Sequence, residues 1–328
     1  MLVTLEAIRQ AAGRVSAIAR RTPVLDLSDL AGRPLLVKCE SHQPGGAFKI
    51  RGATNMLKRL PADALRRGVV TYSSGNHGQA VALAASRLDG RAVIVMPTTA
   101  PAVKVAGVRR WGAEVIQEGT TSIERRKRAE AEADARGLTM VPPFDHEWII
   151  EGQGTCGLEI LEQVPHAEVV VVPVGGGGLV SGVAAAIKLS RPDVSVVGVE
   201  PAGAAKMSES LKAGHPITLP RTDTIADGLM PVRPGDLTFE HVKAFVDRVV
   251  TVDDERIARA ALWLFHEAKQ VIEPSGAATV AAVLWPDDGG LLADRSKKVV
   301  AILSGGNVAP ETLAELGQWG NEAPVSSV

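Results

Sequence analysis

One pattern recurs along most of the chain: a run of β-branched residues, then a turn of small residues, then apolar side chains at helical spacing. This alternation is typical of βαβ units, in which crossover helices join parallel strands. It therefore predicts an α/β fold with parallel or mostly parallel sheets covered by helices. The first group of predicted strands covers residues 68–73, 91–97, 113–117 and 138–141.

A second group of strands lies on both sides of the first along the chain. Its predicted strands cover residues 35–40, 168–174, 194–200, 246–252 and 297–303. The predicted helices cover residues 48–60, 77–88, 103–111, 122–136, 179–189, 253–271 and 275–284. We therefore predict a small lobe, residues 68–145, inserted into a large lobe made of residues 1–67 and 146–328.

Composition limits the partners of such a fold. The chain has 328 residues, enough for two lobes, and a net charge of −1, which gives no reason to expect nucleic acid or an anionic membrane as partner. No apolar run is long enough to span a bilayer, and residues 1–21 lack the apolar stretch of a signal peptide. Cys39 and Cys156 are the only cysteines, as is typical of a reduced protein. We expect a cytoplasmic location.

Three clusters of small polar residues and glycines directly follow predicted strands, at residues 73–78, 175–178 and 304–307. The carboxyl ends of parallel strands share one edge of a sheet, and ligands bind in the crevice there. Glycines let backbone N–H groups approach a ligand closely, and the N-terminus of the following helix attracts an anion. Four consecutive glycines exceed what a tight turn requires, so residues 175–178 predict a phosphate-binding loop.

The same loop also imitates a dinucleotide-binding turn, because Glu200 ends the next predicted strand. The spacing of the glycines departs from the strict fingerprint, however, since Leu179 and Val180 stand between the four glycines and Gly182. A nicotinamide-dependent dehydrogenase therefore remains as the lesser alternative.

Lys49 occupies an unusual place for a surface lysine. It follows a Gly45-Gly46 turn and Phe48, and it stands at the start of a predicted helix. Desolvation and the positive end of the helix would both lower the pKa of its amine, which favours Schiff-base chemistry. Such a lysine alone is more often structural, but beside a phosphate loop it predicts a covalent cofactor site.

The motifs resemble a known family when they are taken in order. Residues 47–53 (Ala-Phe-Lys-Ile-Arg-Gly-Ala), with the clusters at 73–78, 175–179 and 304–307, resemble the fold-type II pyridoxal 5′-phosphate (PLP) enzymes, which share the tryptophan synthase β-like fold. Within that family they are similar to the serine/threonine dehydratases and serine racemases. The resemblance implies a two-lobe PLP enzyme that acts on a small amino acid and forms a homodimer.

The resemblance also implies roles for individual residues. Lys49 would hold the cofactor as a Schiff base and move the substrate α-proton, with Phe48 beside the ring. Asn76 would bind the ring hydroxyl, and Ser304 would bind the pyridine nitrogen. The PLP phosphate would contact Gly175, Gly176, Gly177, Gly178 and Leu179, and the substrate carboxylate would contact Ser73, Ser74, Gly75, Asn76 and His77.

A serine at position 304 bears on the reaction. A hydroxyl leaves the pyridine nitrogen largely unprotonated, which weakens the ring as an electron sink and favours prompt loss of a β-leaving group. The resemblance therefore implies a dehydratase (ammonia-lyase) that converts L-serine, L-threonine or a related β-hydroxy amino acid to a 2-oxo acid and ammonia. Ser74 leaves a racemase open as the alternative, because relatives with serine here can use it as a base on the cofactor face opposite Lys49.

Two further segments bear on the site. Metal-binding relatives carry a second carboxylate a few residues after Glu200, where this chain has Lys206. We expect the Lys206 ammonium to pair with Glu200 in place of a cation, and no metal site is predicted. Residues 273–276 either start a helix with Ser275 as N-cap or lie near the cofactor ring, and the sequence favours neither.

Overall fold

Ten strands form two separate sheets in the computed structural model, which describes residues 1–73, 75–100, 102–287 and 290–318. The strands are β1 (Val24–Asp26), β2 (Leu35–Cys39), β3 (Val69–Tyr72), β4 (Ala92–Met96), β5 (Glu114–Gln117), β6 (Thr139–Met140), β7 (Val169–Pro173), β8 (Ser195–Pro201), β9 (Arg248–Val252) and β10 (Val299–Leu303). The larger sheet has the order β1-β2-β10-β7-β8-β9, and the smaller sheet has the order β5-β4-β3-β6.

Parallel pairing dominates both sheets. Only β1 and β2 pair in antiparallel fashion among the described strands. Every residue of β7 and β10 is buried, because helices cover both faces of the larger sheet and such strands read as continuous apolar runs. The prediction of a mostly parallel α/β fold is confirmed.

Helices connect the strands and cover the sheets. They are α1 (Leu5–Val15), α2 (Ser28–Ala31), α3 (Lys49–Arg59), α4 (Ala62–Arg67), α5 (Asn76–Arg87), α6 (Ala102–Arg109), α7 (Ser122–Arg136), α8 (Glu147–Gln163), α9 (Gly178–Ser190), α10 (Lys206–Ala213), α11 (Asp236–Phe245), α12 (Asp254–His266), α13 (Pro274–Leu284) and α14 (Pro310–Leu316). Within the described part of the chain, no helix combines the length and the apolarity needed to cross a bilayer.

The helix that begins at Lys49 packs against elements of the smaller sheet. Its buried residues Ile50, Ala53 and Leu57 belong to one apolar cluster with α5 and with β4 of the smaller sheet. The same helix also packs along α8, which follows the smaller sheet in the chain. The start of α3 is therefore held from both sides, which fixes the position of the lysine.

The secondary structure differs from the predictions in several places. Seven of the observed helices were not predicted: α1, α2, α4, α8, α10, α11 and α14. The short edge strand β1 was not expected, because three residues carry too little periodicity to be recognised. Helix α12 ends at His266 rather than at residue 271. Lys269 adopts a positive φ of 55°, and the Gln270 N–H returns to the Leu264 carbonyl at 2.8 Å, so the chain closes the helix with a left-handed turn.

Candidate active site

The segment that carries Lys49 is tied to the end of β10. The Phe48 N–H donates to the Ser304 carbonyl at 3.0 Å, and Ala47 forms a β-bridge with Gly305. Ser304 itself is buried at the strand end. These contacts bring together two of the sequence-predicted clusters, which lie more than 250 residues apart in the chain.

The Lys49 amine is held by an uncharged partner. Its Nζ donates to the Pro143 carbonyl at 2.7 Å and lies 5.1 Å from the centre of the Phe48 ring. Burial lowers the pKa of this amine to about 8, because desolvation disfavours the charged form. A substantial fraction of the amine is therefore neutral and nucleophilic near physiological pH.

The four glycines after β7 form a loop in which larger residues would clash with their neighbours. Gly177 has φ +100°, a left-handed conformation that favours glycine. A Cβ on Gly176 would lie 2.3 Å from the Phe144 ring. The loop leads directly into the 13-residue helix α9, whose first N–H groups lack intrahelical partners. Backbone donors at such a helix start suit a phosphate group, and Leu179 packs its side chain into the core behind them.

Residues that the sequence did not mark brace this loop. The Thr238 hydroxyl donates to the Gly176 carbonyl at 2.7 Å. Asp145 accepts the backbone N–H groups of Asp236, Leu237 and Thr238 at 3.0–3.1 Å, which anchors the start of α11 beside the loop. Neither Asp145 nor Phe144 stands in a recognisable motif, because each contacts residues more than 30 positions away.

The lysine and the glycine loop meet through two adjacent residues. Pro143 accepts the Lys49 amine, and the next residue, Phe144, packs against Gly176 and Gly178. The predicted covalent site and the predicted phosphate site therefore adjoin the same short segment. This arrangement suits a ligand with a phosphate at one end and an aldehyde at the other.

A buried lysine, Lys206, anchors Val174, the residue directly before the glycine loop. Lys206 Nζ donates to the carbonyls of Val174 (2.9 Å), Ala204 (3.0 Å) and Leu229 (2.9 Å), and it lies 3.2 Å from Glu200 Oε1. Burial lowers the pKa of this amine, and the Glu200 carboxylate opposes that shift. Three carbonyl acceptors require three protons, so the group is an ammonium. The ion pair expected between Lys206 and Glu200 is present.

The carboxylate of Glu200 is not available to bind a ligand. It is fully buried, and its carboxylate also accepts the N–H groups of Met207 and Ser208, each at 2.8 Å. An acidic residue that binds the ribose of a dinucleotide must present free oxygens at the cleft. The oxygens of Glu200 are already bound within the protein, which removes the basis of the nicotinamide alternative.

Two backbone N–H groups in the loop after β3 already donate hydrogen bonds within the protein, so they are not available to a substrate. The Ser73 N–H donates to the Val95 carbonyl at 3.0 Å, and the Gly75 N–H donates to the Ser73 hydroxyl at 3.2 Å. The first-turn N–H groups of α5, from Asn76 onward, lack partners within the helix. Ser74, predicted as a substrate contact and a possible second base, lies outside the described residues.

His77 is fixed as a neutral side chain. Its Nε2 lies 3.1 Å from the Val141 carbonyl, so this nitrogen carries the proton. Burial, and secondarily the nearby Lys49, lower the pKa of His77 to about 3. The imidazole therefore stays uncharged at neutral pH, so it offers no positive charge for the predicted contact with the substrate carboxylate.

Residues 273–276 do start a helix, but not with the expected cap. Glu273 is the N-cap of α13 and Pro274 its first residue, and the Ser275 hydroxyl instead accepts the Gly228 N–H at 2.8 Å. The interpretation of Ser275 as N-cap is wrong because proline already provides the helix start. The buried Glu273 carboxyl accepts a hydrogen bond from Asn76, the predicted ring-hydroxyl contact.

Comparison with known proteins agrees with this geometry. Residues 15–305 match the family described as pyridoxal-phosphate dependent enzyme. The chain is 44% identical to an L-threonine ammonia-lyase of Thermotoga maritima over 94% of this chain and 76% of that protein. It is 42% identical to a serine racemase of Oryza sativa subsp. indica, over 93% of this chain and 91% of the other.

The structure is also similar to that of maize serine racemase, with a TM-score of 0.91 and 39% identity over 97% of this chain and 98% of the other. The residues at the site fit PLP, since a loop free of side chains suits its phosphate and a partly neutral lysine suits its aldehyde. The chain therefore belongs to the fold-type II pyridoxal-phosphate-dependent enzymes, and PLP is its cofactor.

Proposed function

We propose that the protein is a PLP-dependent dehydratase (ammonia-lyase) of L-serine, L-threonine or a related β-hydroxy amino acid. The products would be a 2-oxo acid and ammonia. The observation that carries the proposal is the junction of Lys49, Pro143, Phe144 and Gly176, where a partly neutral amine adjoins a phosphate-sized loop. Bound PLP would supply the electron sink for cleavage at the substrate α-carbon.

Residues of this chain would carry out the proton transfer, bind the substrate carboxylate and contact the pyridine nitrogen. The Lys49 amine would take the α-proton, since a pKa near 8 makes it an effective base near neutral pH. Asn76 and His77 would bind the substrate carboxylate through the backbone at the start of α5, together with Ser73, Ser74 and Gly75. A buried hydroxyl on Ser304 would contact the pyridine nitrogen without protonating it, which favours elimination over a long-lived carbanion.

A racemase is the second candidate, because relatives of about equal similarity include serine racemases. Racemisation needs a second base on the face opposite Lys49, and Ser74 is the residue that we propose for it. The two activities share Lys49 and the glycine loop, so one site could perform both. We also propose the two-lobe organisation, a homodimer and a cytoplasmic location, each as expected from the sequence.

The deciding experiment measures 2-oxo acid release and stereochemical inversion in the same reactions. The holoenzyme would receive L-serine, L-threonine and L-threo-3-hydroxyaspartate separately, with Lys49→Ala as the control that lacks the amine. We expect 2-oxo acid from at least one substrate and none from the control. Production of the amino acid inverted at its α-carbon, D-serine in the case of L-serine, without 2-oxo acid would instead establish the racemase.

The Ser74→Ala variant separates the two candidates further. A dehydratase that relies on Lys49 alone should keep most of its 2-oxo acid release in this variant, whereas any racemisation should fall by about two orders of magnitude, as expected for loss of a general base. A loss of 2-oxo acid release as large as that in Lys49→Ala would contradict the proposed division of roles.

Light scattering of the holoenzyme would test the proposed dimer.

A further inference from the structure

The side chains of Asn76 and Asn307 together link four segments of the chain. Asn76 Nδ2 donates to Glu273 Oε1 at 2.7 Å, and Asn76 Oδ1 accepts from Asn307 Nδ2 at 2.9 Å. Asn307 Nδ2 also donates to the Gly45 carbonyl at 2.7 Å. The contacts join the loop before Lys49, the start of α5, the start of α13 and the segment after β10.

These contacts determine which way each carboxamide points. A backbone carbonyl can only accept, so the Gly45 oxygen requires the amide nitrogen of Asn307 on its side. The second N–H of the same amide nitrogen then points at Asn76, which must present its oxygen because only the oxygen can accept a hydrogen bond. The nitrogen of Asn76 consequently faces Glu273, and within the described residues only one of its two N–H groups has an acceptor. The orientation of both carboxamides therefore follows from their hydrogen bonds, because the Gly45 carbonyl can act only as an acceptor.

The carboxyl group of Glu273 is held in a fixed position close to the end of β10. The residue is 5% exposed. A Cβ on Gly305 would lie 2.3 Å from Glu273 Oε1, so a glycine after Ser304 is what admits the carboxyl. The backbone of Glu273 donates to the Gly305 carbonyl at 3.2 Å. Both the main chain and the side chain of Glu273 are therefore fixed beside the proposed ring site.

We propose that Glu273 and Asn307 are positioning residues, which hold Asn76 so that its free N–H donates to the ring oxygen of PLP. The inference rests on the proposed contact between Asn76 and the cofactor ring, but not on which amino-acid reaction the enzyme performs. A fixed N–H donor favours the deprotonated form of that oxygen, because only a donor stabilises the added negative charge. The expected consequence is a defined protonation state of the bound cofactor.

Protonation of Glu273 supports the same role. Burial, followed by the negative charge of Asp227, raises the pKa of Glu273 to about 8. Hydrogen bonding from Asn76 and the charge of Lys104 oppose this shift, and Lys104 itself pairs with Asp227 at 2.7 Å. At neutral pH Glu273 is mostly a neutral acid, which accepts from Asn76 without adding a full negative charge beside the ring oxygen.

The test uses the absorption spectrum and affinity of bound PLP, which require no substrate. We would compare the holoenzyme with Glu273→Ala, Glu273→Gln, Asn307→Asp and Asn76→Ala. Glu273→Ala removes the acceptor, and Asn307→Asp replaces a donor with an acceptor, so both should release Asn76. We expect these two variants to shift the visible band in the same direction as Asn76→Ala and to weaken PLP binding about tenfold, as loss of one buried hydrogen bond predicts.

A matched control separates positioning from general packing. Thr279 is buried six residues after Glu273 in α13, and its hydroxyl donates to the Ile302 carbonyl at 3.1 Å without contacting Asn76. Thr279→Val should lower stability but leave the band and the PLP affinity unchanged. Glu273→Gln keeps an acceptor oxygen of the same size and should also keep the wild-type band.

The possible outcomes divide clearly. A common band shift in Glu273→Ala and Asn307→Asp, absent from Thr279→Val, supports the proposal. An unchanged band in both variants overturns it, as does an equal shift in Thr279→Val. If Glu273→Ala fails to fold, Asn307→Asp decides alone by the same criterion. An absence of 2-oxo acid release in wild-type enzyme would count against the dehydratase but would leave the band shifts unaffected.

Discussion

Two lysines are buried near the same glycine loop, and their surroundings give them opposite properties. Lys206 contacts three carbonyls and a carboxylate, and this number of acceptors requires the three protons of an ammonium. Lys49 contacts one carbonyl and an aromatic ring, and burial alone sets its pKa near 8. The same side chain therefore serves as a hydrogen-bonded ammonium in one place and as a nucleophile in the other, according to the number of acceptors around it.

The largest expected effect comes from removing the nucleophile while keeping a cation. In Lys49→Arg the guanidinium cannot form a Schiff base, so we expect 2-oxo acid release to fall by at least about a thousandfold. The visible band of covalently bound cofactor should disappear. Lys58→Arg, at an exposed position of the same helix, is the control and should behave like wild type. Retention of activity in Lys49→Arg would show that charge, not nucleophilicity, matters here.

The complementary change removes the cation at the second lysine. Lys206→Met leaves the Glu200 carboxylate and three carbonyls buried without their partner, which should lower the free energy of unfolding by about 3–5 kcal/mol. Urea denaturation of the holoenzyme measures this loss. Lys212→Met, on the same helix but with a side chain 73% exposed, should change stability by less than about 0.5 kcal/mol. Equal effects in the two variants would contradict the assigned role of Lys206.

The pH dependence of cofactor attachment measures the property of Lys49 directly. The pKa of Lys49 is lowered to about 8, so the amine is mostly protonated below that pH and mostly neutral above it. When PLP is added to cofactor-free protein, the rate of covalent attachment should rise about tenfold per pH unit up to pH 8 and then level off. A rate that keeps rising to about pH 10, as for an exposed lysine, would show that burial does not control this amine.

The smallest expected effect is that of a metal chelator. If the Lys206 ammonium occupies the place of a cation beside Glu200, then EDTA should leave the melting temperature of the holoenzyme unchanged to within about 1 °C. Addition of Mg²⁺ should have equally little effect. A rise in melting temperature with Mg²⁺ that EDTA reverses would refute the idea that Lys206 substitutes for a metal ion.

The sequence was informative where a feature is local. Strand and helix periodicity predicted the two series of strands, and the glycine run predicted the loop before α9, because both depend on neighbouring residues. The Lys49 segment and the Ser304 cluster were recognisable for the same reason. Their association with each other was an expectation from the family resemblance, and the contact between Phe48 and Ser304 is what joins them.

Contacts between distant segments were beyond prediction from one sequence. Asp145 caps α11 about 90 residues later, and Phe144 packs on the glycine loop, yet neither residue has a distinguishing local pattern. The orientation of Asn76 depends on Glu273 and Asn307, which lie about 200 residues away. Such arrangements are set by how the sheets and helices pack, so only the three-dimensional structure reveals them.

The position of β10 has a consequence for how the protein is made. This strand is the last in the described chain, yet it lies inside the larger sheet between β2 and β7. During synthesis β2 and β7 leave the ribosome long before the strand that separates them, so the sheet cannot close until about residue 303 has emerged. Because Ser304 and Asn307 follow that strand, cofactor binding would come after the sheet is complete, and cofactor colour would report finished folding.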